Sequence, residues 1–134
     1  MYRSAVLVCA VAMLVLVGCR GGRLKLHKVT GTVKFQDGTV PQGDIAMITF
    51  VAAVPTEGNA AACDIEPDGS FELGTLTQGD GALAGDYKVT LHVSKGYPIG
   101  KSLIAKKYTT LDTPLKVTIK AGEKNHFDFE VERP

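Results

Sequence analysis

The sequence predicts an all-β protein, a seven-stranded antiparallel sandwich that follows an N-terminal export segment. From Lys28 onward, apolar and polar residues alternate in short runs, and clusters of Gly, Pro, Asp and Asn separate one run from the next. No stretch in that region sustains a helical period. Seven such runs, at these spacings, are typical of a two-sheet sandwich.

Composition limits the function classes. The chain has 134 residues, 45% of them hydrophobic, and a formal net charge of +1. Its length allows one domain and a targeting segment, and its apolar content is too high for a disordered chain. Because the net charge is close to zero, the main electrostatic argument for nucleic-acid binding is missing. We therefore expect no nucleic-acid partner.

The first 18 residues have the pattern of a signal peptide. Arg3 and the terminal amine supply positive charge, and 13 residues without a polar group follow from Ala5 to Val17. A membrane-spanning helix needs about 20 apolar residues, whereas the apolar core of a signal peptide needs about 7–15. Residues 1–18 are therefore predicted to direct export.

The signal peptide runs into the motif Leu16-Val17-Gly18-Cys19, which resembles the lipobox of bacterial lipoproteins. The resemblance implies that Cys19 carries a diacylglycerol thioether, that the Gly18–Cys19 bond is cut and that the new amine is acylated. Two or three acyl chains hold a protein stably on a membrane. We therefore expect an extracytoplasmic protein whose partner is the membrane, through the lipid on Cys19. Arg20, in place of an Asp, favours the outer membrane.

After the lipidated Cys and its tether, residues 19–27, the predicted sandwich occupies residues 28–134. The run at residues 45–53 is apolar on both faces, which predicts a central strand. Turns are expected at Asp37-Gly38 and at Pro67-Asp68-Gly69-Ser70. The predicted strands are, in order, residues 29–35, 45–53, 63–66, 71–73, 87–93, 115–119 and 127–131.

The last two strands are expected to pair with each other. Lys116 and Lys120 alternate outward on one of them, and Asp128, Glu130 and Glu132 alternate outward on the other. Opposite charges on facing strands favour one register, although each pair contributes only about 0.2–1 kcal/mol.

Cysteine usage predicts a domain without an internal disulfide. Cys9 leaves with the signal peptide and Cys19 is consumed by the lipid, so only Cys63 remains. Alternation places Cys63 on the same, inward face as Ile65, which predicts a small buried thiol.

Four short motifs follow one another along residues 28–132: Val29-Thr30-Gly31-Thr32-Val33, Asp37-Gly38-Thr39-Val40-Pro41, Pro67-Asp68-Gly69-Ser70-Phe71-Glu72-Leu73 and Gly85-Asp86-Tyr87-Lys88-Val89. In this order they resemble the carboxypeptidase regulatory-like domain, an immunoglobulin-like or transthyretin-like β-sandwich found on bacterial surface lipoproteins. The resemblance implies a non-catalytic protein and no catalytic residue.

Chemically active side chains give no reason to expect a catalytic, metal or cofactor site. Asp64, Glu66 and Asp68 resemble the opening of a calcium loop, but Thr75 stands where a bidentate Glu is needed. The three histidines are too dispersed for a zinc motif. The serines lie outside any Gly-x-Ser-x-Gly motif.

The segment most suggestive of function is the predicted loop Ser94–Pro114, which is unusually long for a small sandwich. Its cations and tyrosines suit an acidic partner or an anionic glycan. The alternative is that Ile99, Leu103, Ile104 and Tyr108 cap one end of the core. The candidate binding residues are Lys95, Tyr97, Lys101, Lys106, Lys107 and Tyr108.

Two functions remain open at this point. The first is a non-catalytic, lipid-anchored module that serves the cell envelope as a scaffold, adhesion or accessory protein, with another envelope protein as its partner. The second is a carbohydrate- or small-ligand-binding surface lipoprotein, which the absence of Trp disfavours because sugar sites usually need an aromatic platform. A hydrolase has no support from any combination of residues.

Overall fold

The computed structural model describes residues 25–54, 60–96 and 100–134. Gly18, Cys19 and the rest of segment 1–24 lie outside the described residues, as do Tyr97 and Ile99. The described part contains ten strands, a 3₁₀ helix at Lys106–Tyr108 and no α-helix, which confirms the all-β prediction. The strands are β1 (Leu26–His27), β2 (Val29–Phe35), β3 (Ile45–Ala52), β4 (Ala61–Asp64), β5 (Ser70–Glu72), β6 (Ala82–Leu83), β7 (Gly85–Lys95), β8 (Lys101–Ser102), β9 (Lys116–Ile119) and β10 (Asn125–Val131).

The described strands form three sheets. β2 lies between β10 and β5 in a three-stranded sheet, whereas β3 lies between β4 and β7 in a five-stranded sheet. The other edge of β7 pairs with β9 along its first residues and with β8 along its last. β1 and β6 form a small antiparallel sheet of their own. The central position predicted for residues 45–53 is confirmed, because β3 has a partner on each edge.

Aromatic rings join the two larger sheets in one core. The ring of Phe50, from β3, has its centroid 6.2 Å from that of Phe71 in β5 and 6.2 Å from that of Phe129 in β10. Ring pairs at this separation attract beyond the area that they bury. Because alternation sends every second side chain of β2, β3 and β7 inward, most of the fully buried residues lie on these strands. The hydrophobic side chains with no exposed surface are Val29, Val33, Ile48, Phe50, Ala61, Leu73, Ala82, Val89 and Leu91.

β2 and β10 pair in parallel, so the prediction that the strands are antiparallel throughout is wrong for this pair. The register covers seven residue pairs and starts with Asn125 opposite Val29. The expected pairing of the last two strands is also wrong: β9 pairs with β7, where Lys116 faces Lys88. Cross-strand charge pairs are too weak to determine which strand is the partner. β10 instead occupies the position in which Phe127 packs against the core.

The two predicted turns are confirmed. Gly38 has φ of +85° and Gly69 has φ of +88°, in the left-handed region that favours glycine. The preceding residues, Asp37 and Asp68, each accept hydrogen bonds from the backbone N–H and the hydroxyl of the residue two positions later. These short-range bonds hold the turns in place.

β7 runs the length of the domain and defines its two ends. Its 11 residues extend over about 33 Å, at about 3.3 Å per residue. It begins directly after β6, the partner of β1, so the described chain starts at this end. Its last residue, Lys95, lies at the opposite end, together with β8 and the end of β2. The near end is named for the start of the described chain and comprises residues 25–28, 53–54, 83–86 and 119–124. The far end is the opposite one and comprises residues 35–42, 94–96, 100–103 and 131–134.

Candidate functional site

The first part of the predicted binding loop is a hairpin between β7 and β8. Lys95, the last residue of β7, is the cross-strand partner of Lys101, the first residue of β8, and both are exposed. A hydrogen bond of 2.9 Å from the Leu103 N–H to the Val93 carbonyl continues the pairing. The hairpin therefore holds two lysines side by side at the far end.

The second part of the segment covers the core. Ile104 is 1% exposed and Tyr108, in the 3₁₀ helix, is 4% exposed. A ring this deeply buried is not available to stack on a sugar or a base. The positions of Ile104 and Tyr108 are those that the core-capping interpretation expects.

Lys106 and Lys107 lie on the exposed side of the 3₁₀ helix. The Nζ of Lys107 donates a hydrogen bond of 2.7 Å to Oε2 of Glu132, and it lies 5.2 Å from the centroid of the Tyr108 ring. The hydrogen bond to Glu132 is the main cause that raises the pKa of Lys107. The charge of Lys107 is therefore largely compensated by its own neighbours.

A cavity opens at the far end between β2, β8 and the C-terminal segment, with a volume of about 640 Å³. The Cζ of Arg133 lies 4.1 Å from the centroid of the Phe35 ring. Its Nη2 also donates to Oδ2 of Asp37 at 3.0 Å and to the Thr39 hydroxyl at 3.2 Å. The lining residues are Phe35, Thr39, Val40, Gln42, Lys101, Ser102, Leu103, Arg133 and Pro134.

The electrostatics of this cavity depend on Asp37. Hydrogen bonds from the hydroxyl and then from the backbone N–H of Thr39 lower the pKa of Asp37 to about 2, and Arg133 adds to the effect. The carboxylate is therefore charged at all but strongly acidic pH. Arg133 contacts both this carboxylate and the Phe35 ring, and the two contacts orient its guanidinium at the cavity wall.

Of the predicted binding residues that the structure describes, Lys101 lines this cavity, and Ser102 and Leu103 of the predicted loop line it too, whereas the other lining residues lie outside that loop. Arg133 follows the last predicted strand and belongs to no motif. It reaches Phe35 because β10 runs parallel to β2, with Val131 opposite Phe35. The position of Arg133 thus follows from the register of a parallel strand pair, which local sequence patterns do not reveal.

A second polar cluster lies on the outer face of the three-stranded sheet. The Oγ1 of Thr30 lies 2.9 Å from Nδ1 of His126, and Nε2 of His126 lies 3.0 Å from Oδ1 of Asp128. The hydroxyl of Thr32 donates to the same carboxylate oxygen at 2.7 Å. Each bond joins β2 to β10 or links neighbours on β10, so the cluster fixes the register of the parallel pair.

Cys63 is a free cysteine on β4, and the structure leaves it partly buried against the core. The expectation of an inward thiol is thus met only in part. Burial is the main cause that raises the pKa of the Cys63 thiol to about 11. A thiol that stays protonated at neutral pH is a poor nucleophile.

The described residues contain neither a cluster of metal-ligating side chains nor a helix that could span a membrane. Within them, His, Cys, Asp and Glu form no group of three or more that could hold a metal ion. Asp68, from the calcium-like pattern, accepts hydrogen bonds from Ser70. No helix in the described ranges is long and apolar enough to cross a membrane.

Comparison of the chain with models of protein families, with curated proteins and with solved structures gave no match. The geometry of the far end and the N-terminal sequence are therefore the basis for assigning a function.

Proposed function

We propose that this protein is a non-catalytic, lipid-anchored module of the bacterial cell envelope that presents its far end to a partner. It is exported by residues 1–18, cleaved between Gly18 and Cys19, and held on the outer face of the cytoplasmic membrane or, more in keeping with Arg20, on the outer membrane. Its partner is another envelope protein, which it serves as a scaffold, an adhesion or an accessory module.

The direction of β7 is the observation that carries this proposal. The described chain enters at the near end, where β1 pairs with β6, six residues after Cys19. β7 then separates that end from the hairpin of Lys95 and Lys101 by about 33 Å. A lipid on Cys19 thus tethers one end of the domain and leaves the opposite end directed away from the membrane.

The fold itself supports a seven-stranded sandwich of the transthyretin-like kind. Three of the ten described strands, β1, β6 and β8, have only two residues each, and the other seven form the two sheets that share the Phe50 core. The parallel pair of β2 and β10 is the departure from a wholly antiparallel sandwich. Membership of the carboxypeptidase regulatory-like family remains part of this proposal.

A second candidate function, binding of a carbohydrate or another small ligand, is favoured by the far-end cavity. Its volume of about 640 Å³ is within the range of ligand pockets, which is about 300–1,000 Å³. Lys101 and the oriented guanidinium of Arg133 suit a carboxylate or phosphate group. The Phe35 ring is already covered by Arg133, so stacking on a sugar is not what this cavity offers.

Replacement of the lipidated cysteine tests the anchor. In Cys19→Ala, the export signal remains but the thiol that takes the lipid is gone. We expect the wild-type protein to fractionate with membranes, to lack residues 1–18 and to carry the mass of diacylglycerol, whereas the variant carries no lipid mass. A Cys63→Ala variant is the matched control and should behave as wild type. A wild-type protein without the lipid mass, or a variant that still carries it, would falsify the anchor.

Binding screens separate the two candidate functions. In one experiment, full-length protein in detergent is applied to an array of neutral and anionic glycans. In a separate experiment, the protein is crosslinked to its neighbours in intact cells. Saturable glycan binding that is abolished by Lys101→Ala and Arg133→Ala, and kept in the control Lys116→Ala, supports the ligand-binding function. Crosslinks from a probe at Lys101 to an envelope protein, without glycan binding, support the scaffold function.

A further inference from the structure

We infer that the near end of the domain is a docking surface for anionic lipid headgroups, so that the protein stands on the membrane in one fixed orientation. This inference rests on the proposed lipid anchor and adds a second, electrostatic contact between the folded domain and the bilayer.

The length of chain between the anchor and the fold sets the distance. Six residue steps separate Cys19 from Lys25, the first described residue. A fully extended chain covers about 3.3–3.6 Å per residue, so the Cα of Lys25 lies at most about 22 Å from that of Cys19. Charges in solution act over about 8 Å at physiological ionic strength. A tether this short lets the near end approach the headgroups closely enough for their charge to act on it.

The near end carries cations that are brought together by the fold. Lys28 and Lys124 each come one residue before the pair Val29 and Asn125, so they are neighbours at the start of the parallel strands. Lys25 precedes β1 directly. All three lysines are exposed, and Arg20 and Arg23 precede them in the tether sequence.

Acidic groups at this end offset the cations only in part. Lys25, Lys28, Lys120 and Lys124 lie there with Asp86 and Glu123. Lys28 also has an exposed ion pair with Glu72 on β5, at 3.6 Å. Among the described residues, no salt bridge involves Lys25, Lys120 or Lys124. These three ammonium groups remain available to phosphate groups, whose negative surface potential attracts clustered cations.

The far end also carries exposed cations. Arg133 bonds there to Asp37, but no salt bridge among the described residues involves Lys95 or Lys101. Charge alone therefore does not select the end that meets the bilayer. The short tether does, because it holds the near end and its cations beside the anchor.

Apolar side chains accompany the near-end cations. Val54 is 59% exposed and Leu83 is half-buried beside a cavity of about 580 Å³ that Lys25 and His27 also line. Binding to a membrane interface grows with both the apolar area that is buried and the attraction to anionic lipid. The near end supplies both contributions on one surface.

Orientation is measured on the full-length, lipidated protein in vesicles. A fluorophore is attached at Ala84→Cys on the near end or at Gln36→Cys on the far end, each in a Cys63→Ser background, and spin-labelled headgroups quench it. Vesicles contain phosphatidylcholine alone or with phosphatidylglycerol. We expect quenching at residue 84 to be several-fold stronger than at residue 36 with phosphatidylglycerol, and to weaken with added salt. Equal quenching at the two ends, or quenching at residue 84 that ignores phosphatidylglycerol, overturns the inference.

Charge reversal provides the matched test. Lys25→Glu with Lys124→Glu should remove most of the effect of phosphatidylglycerol on the residue-84 probe. Lys95→Glu with Lys101→Glu, the same charge change at the far end, should leave that effect unchanged. All of these positions are exposed, and urea unfolding verifies that both double variants fold.

Flotation of the vesicles separates the inference from the function on which it rests. Protein that does not float with vesicles, and that lacks the mass of a lipid on Cys19, contradicts the proposed anchor. Protein that floats but shows no preferred end contradicts only the docking surface. If the near-end double reversal has no effect while the wild-type orientation is fixed, the assigned lysines are not the contact and the inference is likewise overturned.

Discussion

Arg133 lies over the ring of Phe35, with 4.1 Å between its Cζ and the ring centroid. The two residues are 98 positions apart, and they meet because Val131, two residues before Arg133, is the register partner of Phe35. The same guanidinium donates to Asp37 in the turn after β2. The C-terminal segment is thereby joined to the end of the first long strand, which closes the far end of the domain.

Removal of this guanidinium should weaken the fold measurably. Arg133→Ala loses an exposed cation–π contact, and we expect the free energy of unfolding to fall by about 0.5–1 kcal/mol. Arg133→Lys keeps the charge but not the planar group that bonds to Asp37 and covers the ring, so it should recover only part of the loss. Urea unfolding at neutral pH measures both. Equal stability of wild type and Arg133→Ala would mean that the contact contributes nothing.

The stability of the far end should depend on acid pH through Asp37. Its pKa is lowered from 3.8 to about 2 in the folded protein, chiefly by hydrogen bonds from Thr39. A carboxyl group whose pKa is lower in the folded state stabilises the fold above its unfolded pKa, and that contribution is lost as the pH falls from about 4 to about 2. Thermal unfolding across this range should show a shallower pH dependence in Asp37→Asn than in wild type. Asp112→Asn, in an exposed turn, is the control and should follow wild type.

The ring of Phe50 should be among the most sensitive positions of the core. It has no exposed surface, and it lies within 6.2 Å, between centroids, of rings from both large sheets. Phe50→Ala leaves a cavity at the contact between the sheets, with an expected loss of about 3–5 kcal/mol. Phe50→Leu fills part of that cavity and should cost clearly less. Chemical unfolding of the two variants gives the comparison, and equal losses would contradict a packing effect.

Asn125 should be essential for the start of β10. Its side chain is 6% exposed; Oδ1 accepts the Lys120 N–H at 3.0 Å, and Nδ2 donates to the carbonyls of Lys120 and Glu123. Asn125→Ala leaves those backbone groups without their partner, at a cost of about 1–3 kcal/mol. Asn125→Asp keeps the acceptor and loses the donor, so it should also destabilise. Lys124→Ala, one residue earlier and exposed, should be close to neutral in the same unfolding assay.

The thiol of Cys63 should react slowly in the folded protein. Burial raises its pKa to about 11, so little thiolate exists at pH 8. We expect alkylation by iodoacetamide to be at least about tenfold slower than in the urea-unfolded chain. Because the thiol ionises more readily when unfolded, its contribution to stability is present below pH 9 and lost as the pH rises from about 9 to about 11. Mass spectrometry of the peptide that contains Cys63 measures the rate, and similar rates in the two states would contradict the assigned burial.

Local patterns predicted the strands well, and the reason is physical. Alternation decides which side chains are buried, and in β7 the residues Tyr87, Val89, Leu91 and Val93 are all at most 4% exposed. The turns at Asp37 and Asp68 depend on bonds to residues two positions away. Such features are contained within a few residues of sequence.

Strand partners depended on contacts that no short window contains. The charges of Lys116 and Glu130 suggested a pair, yet β10 lies beside β2, where Glu130 faces Lys34. Several strands carry complementary charges, so charge alone does not identify the partner. The close approach of β10 to β2 at Gly31 makes this strand pairing more specific, because a Cβ at that position would lie 1.9 Å from the Phe127 carbonyl oxygen. The part of the candidate site that Arg133 contributes was not predicted for the same reason, since Arg133 reaches the cavity through this pairing.

The parallel pairing of β2 and β10 has a mechanical consequence. A pull that enters at the start of β2 and leaves beyond the end of β10 acts on opposite ends of two adjacent strands. The hydrogen bonds between them then carry the load together, in shear, whereas strands that are peeled apart from one end lose their bonds one at a time. Tension between the proposed lipid anchor and the proposed partner at the far end would therefore be borne by all seven residue pairs at once.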